Sequence, residues 1–466
     1  MRVHQLALPR PFDLDEGVYW ESLRAMHAGA ALYREIYFSQ PPLFLMTVFP
    51  AYTAFGQTIF AARLGVAIVS LVGLCGGYIL GRAVSGRLGG FGALALLIGS
   101  APYLVMSQTL QAEGPAIGFS LLGTGIAFRA CRGPATRRSP LELTIAGVCL
   151  GVAVLSKLLA VATLIPVITL LMMKVLTSKD REEECYALYL AAAFACGFMA
   201  VVAFVALYFL RDLHNLLTQV VGYHLAAATA YHRGQATNLS RIVALLASPI
   251  GVAAALGTIA ALLNKNWNLI PMLAWLVSTV LMLSNLFPLF DHHLVAVVPP
   301  LVGLSALILA PRPVRAPLTV LAKLIKIAGI MAMAAAVAVG FRAELIVYRD
   351  VAYRQIYGSN FITDRRAVRQ IGEYIHGGDQ VVTDAQFLAA LADRDTPPWL
   401  VDTTLVRINT GQLSAKELVD DTSKASVHGV LFYGDRLARV PGYRQWVARH
   451  FRLVDRLGGN NGLWVR

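Results

Sequence analysis

The sequence predicts a polytopic α-helical membrane protein that ends in a small α/β domain on the extracytoplasmic side. Three observations lead there. Hydrophobic residues make up 57% of the 466 positions and charged residues only 14%, with a mean hydropathy of +0.60. A soluble chain of this length needs about 25% charged residues to coat its surface, so that class is excluded, as are disorder and disulfide-rich secreted scaffolds. Apolar runs long enough to cross a bilayer recur through the first 340 residues, and the pattern then changes to alternating short strands and helices.

In chain order, residues 1–60 form an extracytoplasmic juxtamembrane segment that carries the candidate chemistry. Asp13-Leu14-Asp15-Glu16-Gly17 leads into Tyr19-Trp20; Tyr33-Arg34-Glu35-Ile36-Tyr37 and Ser39-Gln40-Pro41-Pro42-Leu43 follow. Stretches 15–28 and 43–56 are expected to lie as helices along the membrane surface, anchored by Trp20, Tyr33, Tyr37 and Phe44. Residues 61–340 are expected to hold about ten spans: 61–81, 89–106, 115–131, 141–156, 158–173, 186–210, 244–263, 268–285, 294–311 and 319–340. Residues 341–466 are read as the α/β domain. It has strands near 380–386, 400–404 and 429–434 and a C-terminal hairpin around Asn460-Asn461-Gly462, with helices between them.

Charge orients these parts. Residues 1–340 hold 23 Lys and Arg against 13 Asp and Glu, so most of the net +13 lies in the hydrophobic region. One set of connections carries Arg82, Arg87, Arg132, Arg137, Arg138, Lys174, Lys179, Arg181, Lys265, Arg312 and Arg315. The positive-inside rule makes that set cytoplasmic and turns Asp15, Glu113, Asp212, Asp291 and the C-terminal domain outward. An outward start leads to the expectation of a membrane helix preceding Met1. No basic stripe interleaved with aromatics is present, so nucleic acid is not an expected partner. The five cysteines lie in or beside apolar runs without zinc-site spacing and read as packing residues.

Several polar residues stand out against this background, each with a plainer alternative. Asp13 or Asp15 could simply cap a helix beginning near Glu16, but adjacent carboxylates at an interface also suit proton acceptance. Glu113 begins a span, where a helix dipole favours it, on the same face as Asp15. Lys157, between two apolar runs, either snorkels or serves a site. The loop 211–243, with Arg211, His214, His224, Arg233 and Arg241, suits an anionic headgroup or an ordinary interface. Asp291-His292-His293 could contact metal or phosphate, although adjacent histidines diverge on an α-helix.

Leu14-Asp15-Glu16-Gly17, the Gln-Pro-Pro-Leu element at 40–43, Arg63, Glu113, Leu155-Ser156-Lys157 and His293-Leu294 through Pro299-Pro300 together resemble the GT-C superfamily of membrane glycosyltransferases. The likeness is to the branch of protein O-mannosyltransferases, the lipid A aminoarabinose transferase and RgtA/B/C/D-like enzymes. Gln40 stands where many relatives carry lysine.

The resemblance implies an inverting transfer of a sugar from a polyprenyl-phosphate donor to an acceptor hydroxyl of a glycan, lipid or protein. The enzyme would sit in the plasma (inner) membrane, among its lipids. It further implies Asp15 as base, with Glu16 and Glu113 positioning hydroxyls. Lys157 is implied to stabilise the departing phosphate, with Arg211, Arg233 and His293 behind it. Tyr19, Gln40, Pro41 and Pro42 are implied to bind substrate. No cofactor is required and no metal-ligand set is assigned, although a divalent cation is compatible with such a site. A transporter or flippase is the alternative class, and it would favour inverted repeats around a midplane site.

Overall fold

The computed structural model describes residues 14–132, 136–231, 235–311, 320–357 and 359–466. Asp13, Arg233, Arg312 and Arg315, singled out above, lie outside the described residues.

Two short helices, α1 (Leu14–His27) and α2 (Leu43–Ala54), precede the long apolar ones. Their aromatic residues do not anchor a membrane surface. Trp20, Tyr33, Tyr37 and Phe44 are all buried: α1, the 30–42 segment and α2 enclose a core shared with Phe387 and Val401, and Tyr37 packs with Tyr223, Ala227 and Val406.

α3 (Ile59–Ile98) contains the first expected span, 61–81, and the first part of the second, 89–106. It folds back at Gly86, whose φ of 74° only glycine adopts freely. The returning arm packs so closely that a Cβ on Gly81 would meet the Gly89 carbonyl. α4 (Ala101–Met106), α5 (Glu113–Arg132), α6 (Ser139–Val154), α7 (Leu164–Leu176) and α8 (Arg181–Tyr208) follow. The expected loop 211–243 is largely helical, through α9 (Leu213–Leu217), α10 (Tyr223–Tyr231) and the start of α11 (Gln235–Leu246). The Ala-rich run 225–231 is a strong helix former, which explains the difference. α12 (Pro249–Leu263), α13 (Leu269–Ser284), α14 (Val298–Ala306) and α15 (Val320–Tyr357) complete the apolar part.

The expected ten spans are not established. Among the described residues five helices are long and apolar enough to cross a membrane, or six if α11 and α12, bent by 73°, form one span. The difference has local causes: α3 joins two runs, and α6 and α13, at 16 residues each, fall short. On α15, Leu321, Leu324, Ile327 and Met331 are exposed, an apolar face that suits lipid.

The C-terminal unit begins with α16 (Ser359–Tyr374). It contains β1 (Gln380–Thr383), α17 (Gln386–Leu391), α18 (Leu405–Asn409), α19 (Ala415–Thr422), β2 (Val427–Phe432), α20 (Tyr443–His450), β3 (Arg452–Gly458) and β4 (Asn461–Val465). The strand order is β1-β2-β4-β3. β1 runs parallel to β2, and the other pairs are antiparallel. Alternation along the strands fills two cores. Val382, Val430 and Phe432 face α19 and α20, while Val381, Leu431 and Leu463 face α16 and α17. The strand expected at 400–404 is absent. The Asp402 carboxylate instead accepts the Thr404 N–H at 2.9 Å, and Thr404 caps α18, so the chain turns.

Candidate active site

Asp15 lies in the first turn of α1 with its side chain about one-third exposed, and its Oδ2 is 3.9 Å from His292 Nε2. The same imidazole nitrogen is 3.8 Å from Glu113 Oε1, so residues 98 positions apart in sequence meet at one histidine. Glu113, at the head of α5 and buried, receives Lys157 Nζ at 3.0 Å and His293 Nε2 at 3.7 Å. Lys157 interrupts the apolar chain between α6 and the 3₁₀ turn Leu158–Thr163 with extended backbone (φ −152°, ψ 124°). A narrow, mostly apolar cleft adjoins this cluster at Glu113 and Lys157, with Ser120, Thr163, Trp275 and Thr279 among its other lining residues.

The two histidines converge, contrary to the expectation for an α-helix. The segment Asp291–Val297 is a 3₁₀ helix, and the Phe290 N–H meets His293 Nδ1 at 3.3 Å. That contact turns Nε2 toward Glu113. Glu113, His292 and His293 present ligand atoms within 4.8 Å of one another. Two imidazoles and a carboxylate form a donor set that suits zinc or a similar first-row divalent ion.

The remaining expected site residues divide by position. Glu16 is buried in an ion pair: its two oxygens accept from Arg63 Nε and Nη2 at 2.8 and 2.6 Å, and Oε1 also accepts the Leu110 N–H at 2.7 Å. It therefore ties α1 to α3 and to the loop before α5, and the expectation that it meets a sugar hydroxyl is not met in this arrangement. Tyr19 packs edge-on against Phe38 and Phe44 in the aromatic core, at 5.9 and 4.9 Å between ring centres, which gives it a packing role in place of the expected substrate contact. Pro41 and Pro42 are buried and start α2, where the Leu43 N–H donates to Leu155 O at 2.9 Å. The Gln-Pro-Pro-Leu element thereby braces the backbone just before Lys157. Gln40 is buried, with its amide oxygen lacking a hydrogen bond. Arg211 is exposed in the 3₁₀ turn Leu210–Asp212 that follows α8 and has no described contact with the cluster, so the structure does not bring it to Lys157. Arg233 lies outside the described residues.

Sequence reading did not locate the residues by which the C-terminal unit meets the juxtamembrane segment. A Cβ on Gly17 would lie 2.5 Å from Phe387 N, so the glycine after Asp15-Glu16 is the point where α17 abuts α1. Ser39 Oγ donates to Asp402 at 3.2 Å. The Arg407 guanidinium, held by the Trp399 and Asp402 carbonyls, stacks 3.5 Å above the Tyr37 ring.

Comparisons with known proteins bear on the family and the fold. Residues 19–218 match the dolichyl-phosphate-mannose-protein mannosyltransferase family. No curated protein sequence matches the chain. Among solved structures, ArnT from Cupriavidus metallidurans bound to undecaprenyl phosphate superposes with a TM-score of 0.68 at 14% identity. That match covers 99% of this chain and 95% of the other. The apo form of the same protein gives 0.60 at 13% identity over the same shares of the two chains. At this identity the likeness shows the fold. Residues 19–218 are thus similar to that mannosyltransferase family, and the chain is a membrane-embedded helical protein with the fold of ArnT.

Proposed function

We propose that the protein is an inverting glycosyltransferase that moves a sugar from a polyprenyl-phosphate donor to an acceptor hydroxyl at the outer membrane face. The observation that carries this reading is the meeting of Asp15 and Glu113 at His292, beside Lys157.

The chemistry follows from charge. Asp15 is the most open carboxylate of the cluster and is the base: it takes the proton of the acceptor hydroxyl as that oxygen bonds to the anomeric carbon. The anomeric carbon–phosphate oxygen bond breaks on the opposite face, and the electron pair leaves with the lipid phosphate. Lys157, with His292 and His293, meets the charge gained by that leaving group. Glu113 keeps Lys157 extended into the cleft and is also placed to orient a sugar hydroxyl. A divalent cation, if bound, would be held by Glu113 and the two histidines and would polarise phosphate oxygen. A donor carried by a lipid needs no nucleotide-binding loop, and none is present in the sequence. The inward-facing basic connections favour an outward site and an outward C-terminal unit, in the plasma (inner) membrane.

The test uses the purified full-length protein in lipid nanodiscs, supplied with polyprenyl-phosphate mannose or aminoarabinose and with envelope membranes as the acceptor source. Release of polyprenyl phosphate by the wild type and a loss of about 10²-fold or more in Asp15→Asn are expected. Uptake of free sugar into liposomes, unaltered by Asp15→Asn and without release of lipid phosphate, would favour a transporter instead.

A further inference from the structure

The two imidazoles of the cluster are placed by the chain just before them, which has no regular structure of its own. α13 ends at Ser284 and the 3₁₀ turn begins at Asp291, so residues 285–290 form neither helix nor strand. Main-chain carbonyls in such a link need partners from elsewhere, and two of them find these on α11. Buried Asn238 donates its side-chain amide to the Leu286 carbonyl at 2.8 Å. Arg241 Nη1 donates to the Leu289 carbonyl at 2.6 Å. Asn238 and Arg241 stand three positions apart on the helix, so one face of α11 lies along the link. The other arm of the guanidinium, Nη2, pairs with the Asp291 carboxylate.

Arg241 therefore holds the residues on either side of Phe290, and Phe290 orients both histidines. Its N–H meets His293 Nδ1 at 3.3 Å. Its ring stacks on His292, with centres 5.5 Å apart and planes 17° apart, and meets His293 edge-on at 5.6 Å. The imidazoles so placed bring Nε2 to within 3.8 Å (His292) and 3.7 Å (His293) of Glu113 Oε1. Asp291 is 87% exposed, and an ion pair with so open a carboxylate is worth little by itself. What fixes the segment is the combination: one planar guanidinium engages a carbonyl and a carboxylate two residues apart.

We infer that Arg241 is a positioning residue, acting through Phe290 to hold His292 and His293 where they meet the lipid phosphate. This rests on the reading of the lysine–histidine side of the site as the place of that phosphate. Arg241 spends both arms on the protein, so its part is to shape the site from outside. Lysine supplies the charge without the fork, and glutamine lacks the charge.

The experiment titrates polyprenyl phosphate onto the full-length protein in nanodiscs, with thermal midpoints measured on the same samples. Arg241→Gln and Arg241→Lys are each made in the wild type and in the double variant His292→Gln/His293→Gln, and Lys157→Met serves as the reference for a lost phosphate contact. Arg241→Gln is expected to weaken binding by about fivefold or more in the wild type, and by less than about twofold where both histidines are gone. A residue that works through the imidazoles has nothing left to position there, whereas a merely structural arginine costs the same in both backgrounds. Arg241→Lys should show a smaller loss, about threefold, with the same dependence on the histidines. Should Arg241→Gln fail to fold, Arg241→Lys decides on the same terms. Unchanged affinity in the folded Arg241 variants, or an equal loss in both backgrounds, would overturn the inference. With binding still weakened in Lys157→Met, the sugar-transfer reading would stand. No binding by the wild type would remove the lipid-phosphate reading, and the inference with it.

Discussion

Lys157 and Glu113 divide the work of one buried ion pair. Taking two charges out of water is costly, and the pair persists because each offsets the other at 3.0 Å. Replacing Lys157 with Met should slow sugar transfer by about 10²–10³-fold through loss of leaving-group stabilisation, measured as the rate of polyprenyl phosphate release. Glu16 and Arg63 form a second buried pair with a different task, since it faces the packing between α1 and α3. Arg63→Met leaves a carboxylate buried without its partner. The expected cost is about 3–5 kcal/mol, read as a lowered thermal midpoint in detergent. Asp15, Glu113, Lys157 and His293 were legible as candidates because ionisable residues are conspicuous in an apolar chain. Glu16 was misread, because adjacent carboxylates on a helix point in different directions and the sequence does not say which one faces the cleft. His292 was passed over as a site residue because an α-helix would separate it from His293, and the 3₁₀ geometry of Asp291–Val297 does not.

At the scale of elements, the joint between α1 and α17 depends on the absence of a side chain at Gly17. Gly17→Ala places a methyl against the Phe387 backbone, with an expected cost of about 1–3 kcal/mol from overpacking. Faster proteolytic release of the C-terminal unit would report it. The same joint responds to pH. Burial pushes the Glu21 carboxyl from its ordinary 4.5 up to about 8, against the pull of Arg24 and the Thr396 N–H, with Asp395 adding to the rise. The folded state thus keeps a proton that the unfolded chain releases. This contribution to stability is fully present below about pH 4.5 and is lost as pH rises toward 8. Glu21→Gln should flatten that decline, measured as the thermal midpoint across pH 5–8. The helices α1 and α2 and most of the sheet were legible from periodicity. The strand expected at 400–404 was not there, because an Asp402–Thr404 turn competes with extended pairing.

The whole molecule is a membrane-embedded helical body with an α/β unit packed against its juxtamembrane helices, and Asp15 lies two residues from where Gly17 meets Phe387 of that unit. The apolar runs were legible from composition, but their number was not. A helix that folds back at Gly86 and two 16-residue helices blur the length rule by which spans are counted. The contacts of the C-terminal unit with residues 17–40 were also invisible, because they join positions more than 350 apart and carry no motif.

The central claim is that one pocket holds a lipid phosphate on its lysine–histidine side and a base on its Asp15 side. The most direct measurement is the affinity for polyprenyl phosphate, by titration of the full-length protein in nanodiscs, for wild type, Lys157→Met and Asp15→Asn. The account predicts binding about tenfold or more weaker in Lys157→Met and no weaker in Asp15→Asn. Equal affinity in wild type and Lys157→Met, or no binding by the wild type, would contradict it.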